Sequence, residues 1–116
     1  MKTDRSTKPG GDPYRVELPD PKVLFVDDEA SILKALRRLC VEEDFEVFTA
    51  GSGPEGLSVL EQNPDVSVIV SDQRMPGMSG VEFLERSLEI APDAVRMVLT
   101  GYADVNAAIG AINRGG

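Results

Sequence analysis

The sequence predicts an α/β fold of the doubly wound kind, a parallel sheet with helices on both faces. Three observations predict it. The runs Val23-Leu24-Phe25-Val26 and Val66-Ser67-Val68-Ile69-Val70-Ser71 are short, apolar and bounded by polar residues, the pattern of strands buried on both faces. The segments between such runs carry apolar residues at helical spacing. Strand and helix patterns then alternate without a break from Lys22 onward, which means βαβ units.

The elements follow in order. Residues 1–20 are rich in proline, glycine and charge and read as a flexible leader, with the domain proper over 21–116. Within the leader only Tyr14-Arg15-Val16-Glu17-Leu18 alternates well enough to pair as a strand on an open sheet edge. The first strand is expected at 22–27. The first helix is expected at 29–43, with Ile32, Leu36, Leu39 and Cys40 along one face. A second strand spans Phe45 to Thr49. The second helix opens near Ser52-Gly53-Pro54, with proline at the first helical position, and closes before Asn63-Pro64.

The third strand covers Val66 to Ser71. A loop, Gln73-Arg74-Met75-Pro76-Gly77-Met78, leads to a third helix opened by a capping box from Ser79 to Glu82, with Val81, Leu84 and Leu88 expected inward. The fourth strand is Ala94 to Leu99, and a fourth helix is expected over 104–113.

Composition bounds the function. The chain has 116 residues, enough for one domain, and 41% hydrophobic with 28% charged content is ordinary for a soluble globular protein. A formal charge of −8 argues against nucleic acid or an anionic membrane as a direct partner. A single cysteine, Cys40, allows no internal disulfide and suits a cytoplasmic location. No secretory signal or membrane-spanning run is visible. With no histidine, catalysis would fall to carboxylates, hydroxyls or a metal.

The chemistry gathers at strand ends. Asp27 and Asp28 close the first strand and Asp72 the third. If these strands are parallel neighbours, three carboxylates meet at the sheet edge where open α/β folds bind ligands. Such a group repels itself unless a proton or cation neutralises it, and Mg²⁺ takes oxygen ligands of this kind. One carboxylate could then accept a phosphoryl group. Thr100, at the end of the fourth strand, would bring a hydroxyl to the same rim.

The segments Val26-Asp27-Asp28-Glu29, Val70-Ser71-Asp72-Gln73-Arg74-Met75-Pro76-Gly77-Met78-Ser79-Gly80 and Leu99-Thr100-Gly101-Tyr102-Ala103-Asp104 resemble, in order and spacing, the receiver (CheY-like) domain of two-component response regulators. The resemblance implies a flavodoxin-like fold with strand order 2-1-3-4, strand four being an exposed edge that invites a homodimer, and a signalling domain that catalyses only its own phosphorylation and slow dephosphorylation. It implies Asp72 as phosphoacceptor and Thr100 as switch hydroxyl, with Mg²⁺ held by Asp27, Asp28, Asp72 and the Arg74 backbone carbonyl. It also implies a histidine kinase or phosphotransfer protein as donor and an output domain outside this chain. Receivers have a fifth strand bearing a lysine and a fifth helix. Neither can be matched here, so the chain is expected to be incomplete at its C-terminal end.

Plainer readings stand beside these. Asp27-Asp28-Glu29 suits the acidic first turn of a helix, Thr100-Gly101 suits a strand-to-helix turn, and Asp72 could be a loop aspartate without function. Lys34, Arg37 and Arg38 read as a solvated face, and Cys40 as core. The alternative functions are a receiver-like interaction module that does not switch, and an aspartyl-nucleophile phosphohydrolase, whose Asp-x-Asp pattern the first strand lacks.

Overall fold

The computed structural model describes residues 20–99 and 109–113. Its elements are β1 (Lys22–Val26), α1 (Ala30–Leu39), β2 (Glu46–Ala50), α2 (Gly53–Gln62), β3 (Val68–Asp72), α3 (Gly80–Ser87) and β4 (Val95–Leu99). Residues 109–113 are helical as well. The four strands form one parallel sheet in the order β2-β1-β3-β4, the order the sequence predicts. The leader with Tyr14–Leu18, Thr100, and the fourth helix before residue 109 lie outside the described residues.

Alternation along the central strands explains why both faces are dry. Val23 and Phe25 of β1 enter a core with Leu36, Cys40 and Phe45, while Leu24 and Val26 enter another with Leu60, Ile69 and Phe83. Successive side chains of a strand point to opposite faces, so a run of apolar residues needs cover on both sides. α1 covers one face, joined by Ile109 and Ile112 of the last helical segment. Asn113 Nδ2 donates to Glu43 Oε1 at 2.7 Å, which ties that segment to the chain beyond α1. α2 and α3 cover the other face.

The helix starts are local chemistry. Ser52 caps α2 by accepting from the Glu55 amide at 3.2 Å, and Ser79 caps α3 by accepting from the Glu82 amide at 3.2 Å. Among the described contacts the Glu82 carboxylate does not return the bond that a capping box requires; it pairs instead with Arg86, one turn on, at 3.3 Å.

Two helix faces differ from expectation. α3 buries Gly80, Phe83, Leu84 and Ser87, whereas Val81 and Leu88 are about half exposed. The reason is tertiary: Phe83 lies against Gly56 of α2, where an added Cβ would come within 2.8 Å of the ring. Ser87 Oγ accepts from Arg96 Nε of β4 at 2.8 Å and donates to the Leu84 carbonyl at 2.6 Å. The Arg96 guanidinium also donates to the carbonyls of Ala91 and Ala94, so β4 is wired to the end of α3. On α1, Leu39 is exposed and Leu33 is partly buried in its stead. Arg37 is more than a solvated charge: it donates to Thr49 Oγ1 at 3.2 Å and to the Val47 carbonyl at 3.5 Å, across the outer strand β2.

β4 pairs with β3 on one side, and no other described strand pairs with it. The Val95 amide donates to the Ser67 carbonyl at 2.8 Å, so alternation turns the backbone groups of Arg96 and Val98 outward. No described helix is long and apolar enough to cross a membrane.

Candidate functional site

In the register of β1 and β3, Val26 stands opposite Ser71. Asp27 and Asp72 each follow one member of that pair, so the two acids leave adjacent strands at the same level. Asp28 is one residue further on. Each of the three offers a carboxylate oxygen, and these atoms all lie within 4.8 Å of one another. The three environments differ: Asp27 is buried, Asp72 intermediate and Asp28 exposed.

Asp27 is held in two ways. Its amide donates to the Ala50 carbonyl of β2 at 3.1 Å, and its Oδ1 accepts from the Glu29 amide at 2.9 Å. That second bond serves the start of α1, where Glu29 at the N-cap makes no side-chain cap of its own. The Asp27 carboxyl is pushed above the usual carboxylate range, first by burial and then by the nearby charges of Asp72, Asp28 and Glu29, against the lowering effect of the Glu29 amide bond. An acid in such company favours its protonated form or a cation.

The donor set suits a hard divalent cation. Three carboxylate oxygens are the ligand type that Mg²⁺ and Ca²⁺ select, and opposite oxygens of an Mg²⁺ octahedron stand about 4.2 Å apart, at roughly 2.1 Å from the ion. The observed spread is close enough for small side-chain movements to close it. Asp27, Asp28 and Asp72 are therefore brought together as the sequence predicts. The backbone carbonyl proposed as a further ligand belongs to exposed Arg74, in the loop that follows β3.

Beside the cluster lies an open cleft of about 640 Å³ lined by Asp28, Gln73, Arg74, Met75, Pro76 and Ser79. The loop forming it turns through Gly77, whose φ of 78° favours glycine. It ends at Gly80, where a Cβ would collide with the Asp72 carbonyl. Only glycine lets the start of α3 press against the backbone of Asp72.

Sequence reasoning missed one participant. The Gln73 side chain accepts from the Val81 amide through Oε1 at 3.0 Å, while its backbone carbonyl accepts from Gly80 at 3.0 Å. A glutamine seven residues before a helix carries no capping signal; the loop has to fold back to create one. Cys40 is core, as expected: buried, with its thiol pushed up to about 11 by burial first and Glu43 second.

Comparison with known proteins bears on the family. The profile of the response regulator receiver domain matches residues 23–116. The hydrogenase transcriptional regulatory protein HoxA of Cupriavidus necator is 47% identical over 94 residues, covering 81% of this chain and 19% of that protein. The chain thus spans about a fifth of the length of the curated relatives it matches first. Among solved structures, a response regulator receiver domain protein from Clostridium thermocellum is 35% identical at a TM-score of 0.66, covering 82% of this chain and 76% of that one. A structure described as adenylate cyclase from Rhodopirellula baltica is 41% identical at a TM-score of 0.67, covering 83% and 70%.

Proposed function

The chain belongs to the response regulator receiver domain family, and we propose that it accepts a phosphoryl group on Asp72 with Mg²⁺ bound at the acidic cluster. The observation that carries the reading is the meeting of three carboxylates within 4.8 Å at the carboxyl ends of β1 and β3. Asp27, Asp28 and Asp72, with the Arg74 carbonyl, would hold the ion. When bound, Mg²⁺ supplies the positive charge that lets these carboxylates coexist and that offsets charge developing on the transferring phosphoryl group.

In this reading a carboxylate oxygen of Asp72 attacks phosphorus in line. The new O–P bond forms as the bond to the donor's leaving group breaks, and the electron pair departs with that group. Asp27, pinned by the Glu29 amide, is the fixed member of the set. Thr100 is the residue after Leu99, the register partner of Asp72, and its hydroxyl would bond a phosphoryl oxygen and report the modification. The domain would turn over no diffusible metabolite.

The donor would be a histidine kinase or a phosphotransfer protein, and the reader an output domain not contained in this chain. A cytoplasmic location, the compartment that a single unpaired cysteine suits, belongs to the same proposal. We include in the proposal a homodimer through the outer edge of β4, where Val95 and Val98 are 55% and 37% exposed. Sedimentation would then show a concentration-dependent dimer that Val98→Lys dissociates; a wild-type monomer at high concentration would exclude it.

The decisive experiment is exposure to a small acyl phosphate with and without Mg²⁺. Label should appear on the wild type only with the ion and be absent from Asp72→Asn. Equal labelling of the two would sink the assignment.

A further inference from the structure

We infer that Gln73 is a positioning residue for the phosphoacceptor: its side-chain carbonyl fixes the start of α3 against Asp72 and so keeps that carboxylate among its neighbours. The inference deepens the proposed function and rests on it. An α-helix begins with amides that have no partner within it. In α3 the amides of Gly80, Val81 and Glu82 donate to acceptors outside the helix ladder: the Gln73 carbonyl, Gln73 Oε1 and Ser79 Oγ. Two of these three acceptors come from the residue next to Asp72.

The consequence is a closed brace. Residues 74–79 arch over the open cleft, and both bonds that close the arch end on Gln73. Because Gly80 abuts the Asp72 carbonyl, the helix start and the phosphoacceptor cannot move independently. Three like charges push apart, and the arch turns through Gly77 at positive φ. Without the brace the strand end carrying Asp72 is free to yield to that repulsion. Mg²⁺ tolerates little departure from octahedral geometry, so the cost of a displaced carboxylate appears as lost affinity. Outer partners that orient metal ligands are typically worth about 10–100-fold in affinity or activity.

The chemistry separates the two ends of the amide. Gln73→Met keeps the length and removes the acceptor. Gln73→Glu keeps an acceptor for the Val81 amide and removes the NH₂ group. Three measurements are made on each chain: hydrogen exchange at the Val81 amide, Mg²⁺ affinity by calorimetry, and labelling by a small acyl phosphate resolved into kcat and KM. The Met variant should exchange at Val81 at least about tenfold faster, bind Mg²⁺ about tenfold more weakly, and lose kcat with the KM for donor unchanged. The Glu variant should recover all three.

Unchanged exchange in the Met variant would show that the bond is not made. Faster exchange with wild-type Mg²⁺ affinity and labelling would leave a helix cap and no positioning role. A Glu variant whose Val81 amide exchanges as fast as in the Met variant would show that the Oε1 acceptor is not what holds the helix start and overturn the inference. Wild-type chain that neither binds Mg²⁺ nor takes label overturns the proposed function itself, and that result is read before any variant is made.

Discussion

The two ends of the central strands treat charge in opposite ways. At the amino end of β1, Lys22 reaches Asp65 at 2.7 Å, and each group is ionised more readily for it. At the carboxyl end of β1 and β3, Asp27, Asp28 and Asp72 crowd together, and Asp27 is harder to ionise. The same strands thus carry a matched pair at one end and an unmatched cluster at the other. A fold does not need the second arrangement for its stability. Unmatched charge at this edge, where open α/β sheets bind ligands, is the arrangement on which the proposed function rests.

The comparison is broken most severely at the cluster. Asp28→Asn should weaken Mg²⁺ at least about tenfold, since a direct ligand counts for no less than an outer partner. The same change should raise the melting temperature of the metal-free chain by relieving repulsion. Calorimetric titration and a thermal melt in chelator check both. A fall in the metal-free melting temperature for Asp28→Asn and Asp72→Asn alike would mean that the carboxylates do not repel one another as described.

pH sharpens the contrast, because the two ends carry slopes of opposite sign. The folded chain raises the pKa of Asp27, so it binds that proton more tightly than the unfolded chain does. The metal-free fold therefore loses stability as pH climbs from 3.8 through the raised value, then levels off. Asp65 is lowered by its hydrogen bond to Lys22, so its contribution is present above 3.8 and lost as pH falls through the lowered value. Carboxyl titration by NMR in the absence of metal should show Asp27 above and Asp65 below the usual range. Asp27→Asn should abolish the first trend and raise metal-free stability near neutrality by about 1 kcal/mol, the scale of a single favourable substitution.

The smallest effect belongs to the matched end. Lys22→Ala should remove the lowering of Asp65 while leaving Mg²⁺ affinity and labelling unchanged, because a largely exposed pair adds little and acts only nearby.

Legibility followed the range of the forces involved. The strands and their closing acids could be read directly, since Val23–Val26 and Val68–Val70 must be apolar without interruption to be covered on both faces. The inward face of α3 could not. Val81, Leu84 and Leu88 make as regular a stripe as Phe83, Leu84 and Ser87, and one residue around a helix is a rotation of only about 100°. Gly56 on α2 and Arg96 on β4 choose between them. Gln73 and Arg37 were illegible for the same reason, as their partners Val81, Val47 and Thr49 lie eight or more residues away in the chain.

The sequence by itself determined a parallel α/β sheet, its strand order and the three acids at its rim. The sheet and the rim acids follow from local apolar patterning and from the rule that parallel strands need crossovers, and the strand order from the three segments that carry the family resemblance. Tertiary structure alone decided how unequally the acids are exposed, which residue braces Asp72, and which side of α3 faces the core. Each of these depends on contacts between elements distant in sequence, and a one-dimensional pattern cannot encode which of two equally good faces will meet a neighbour.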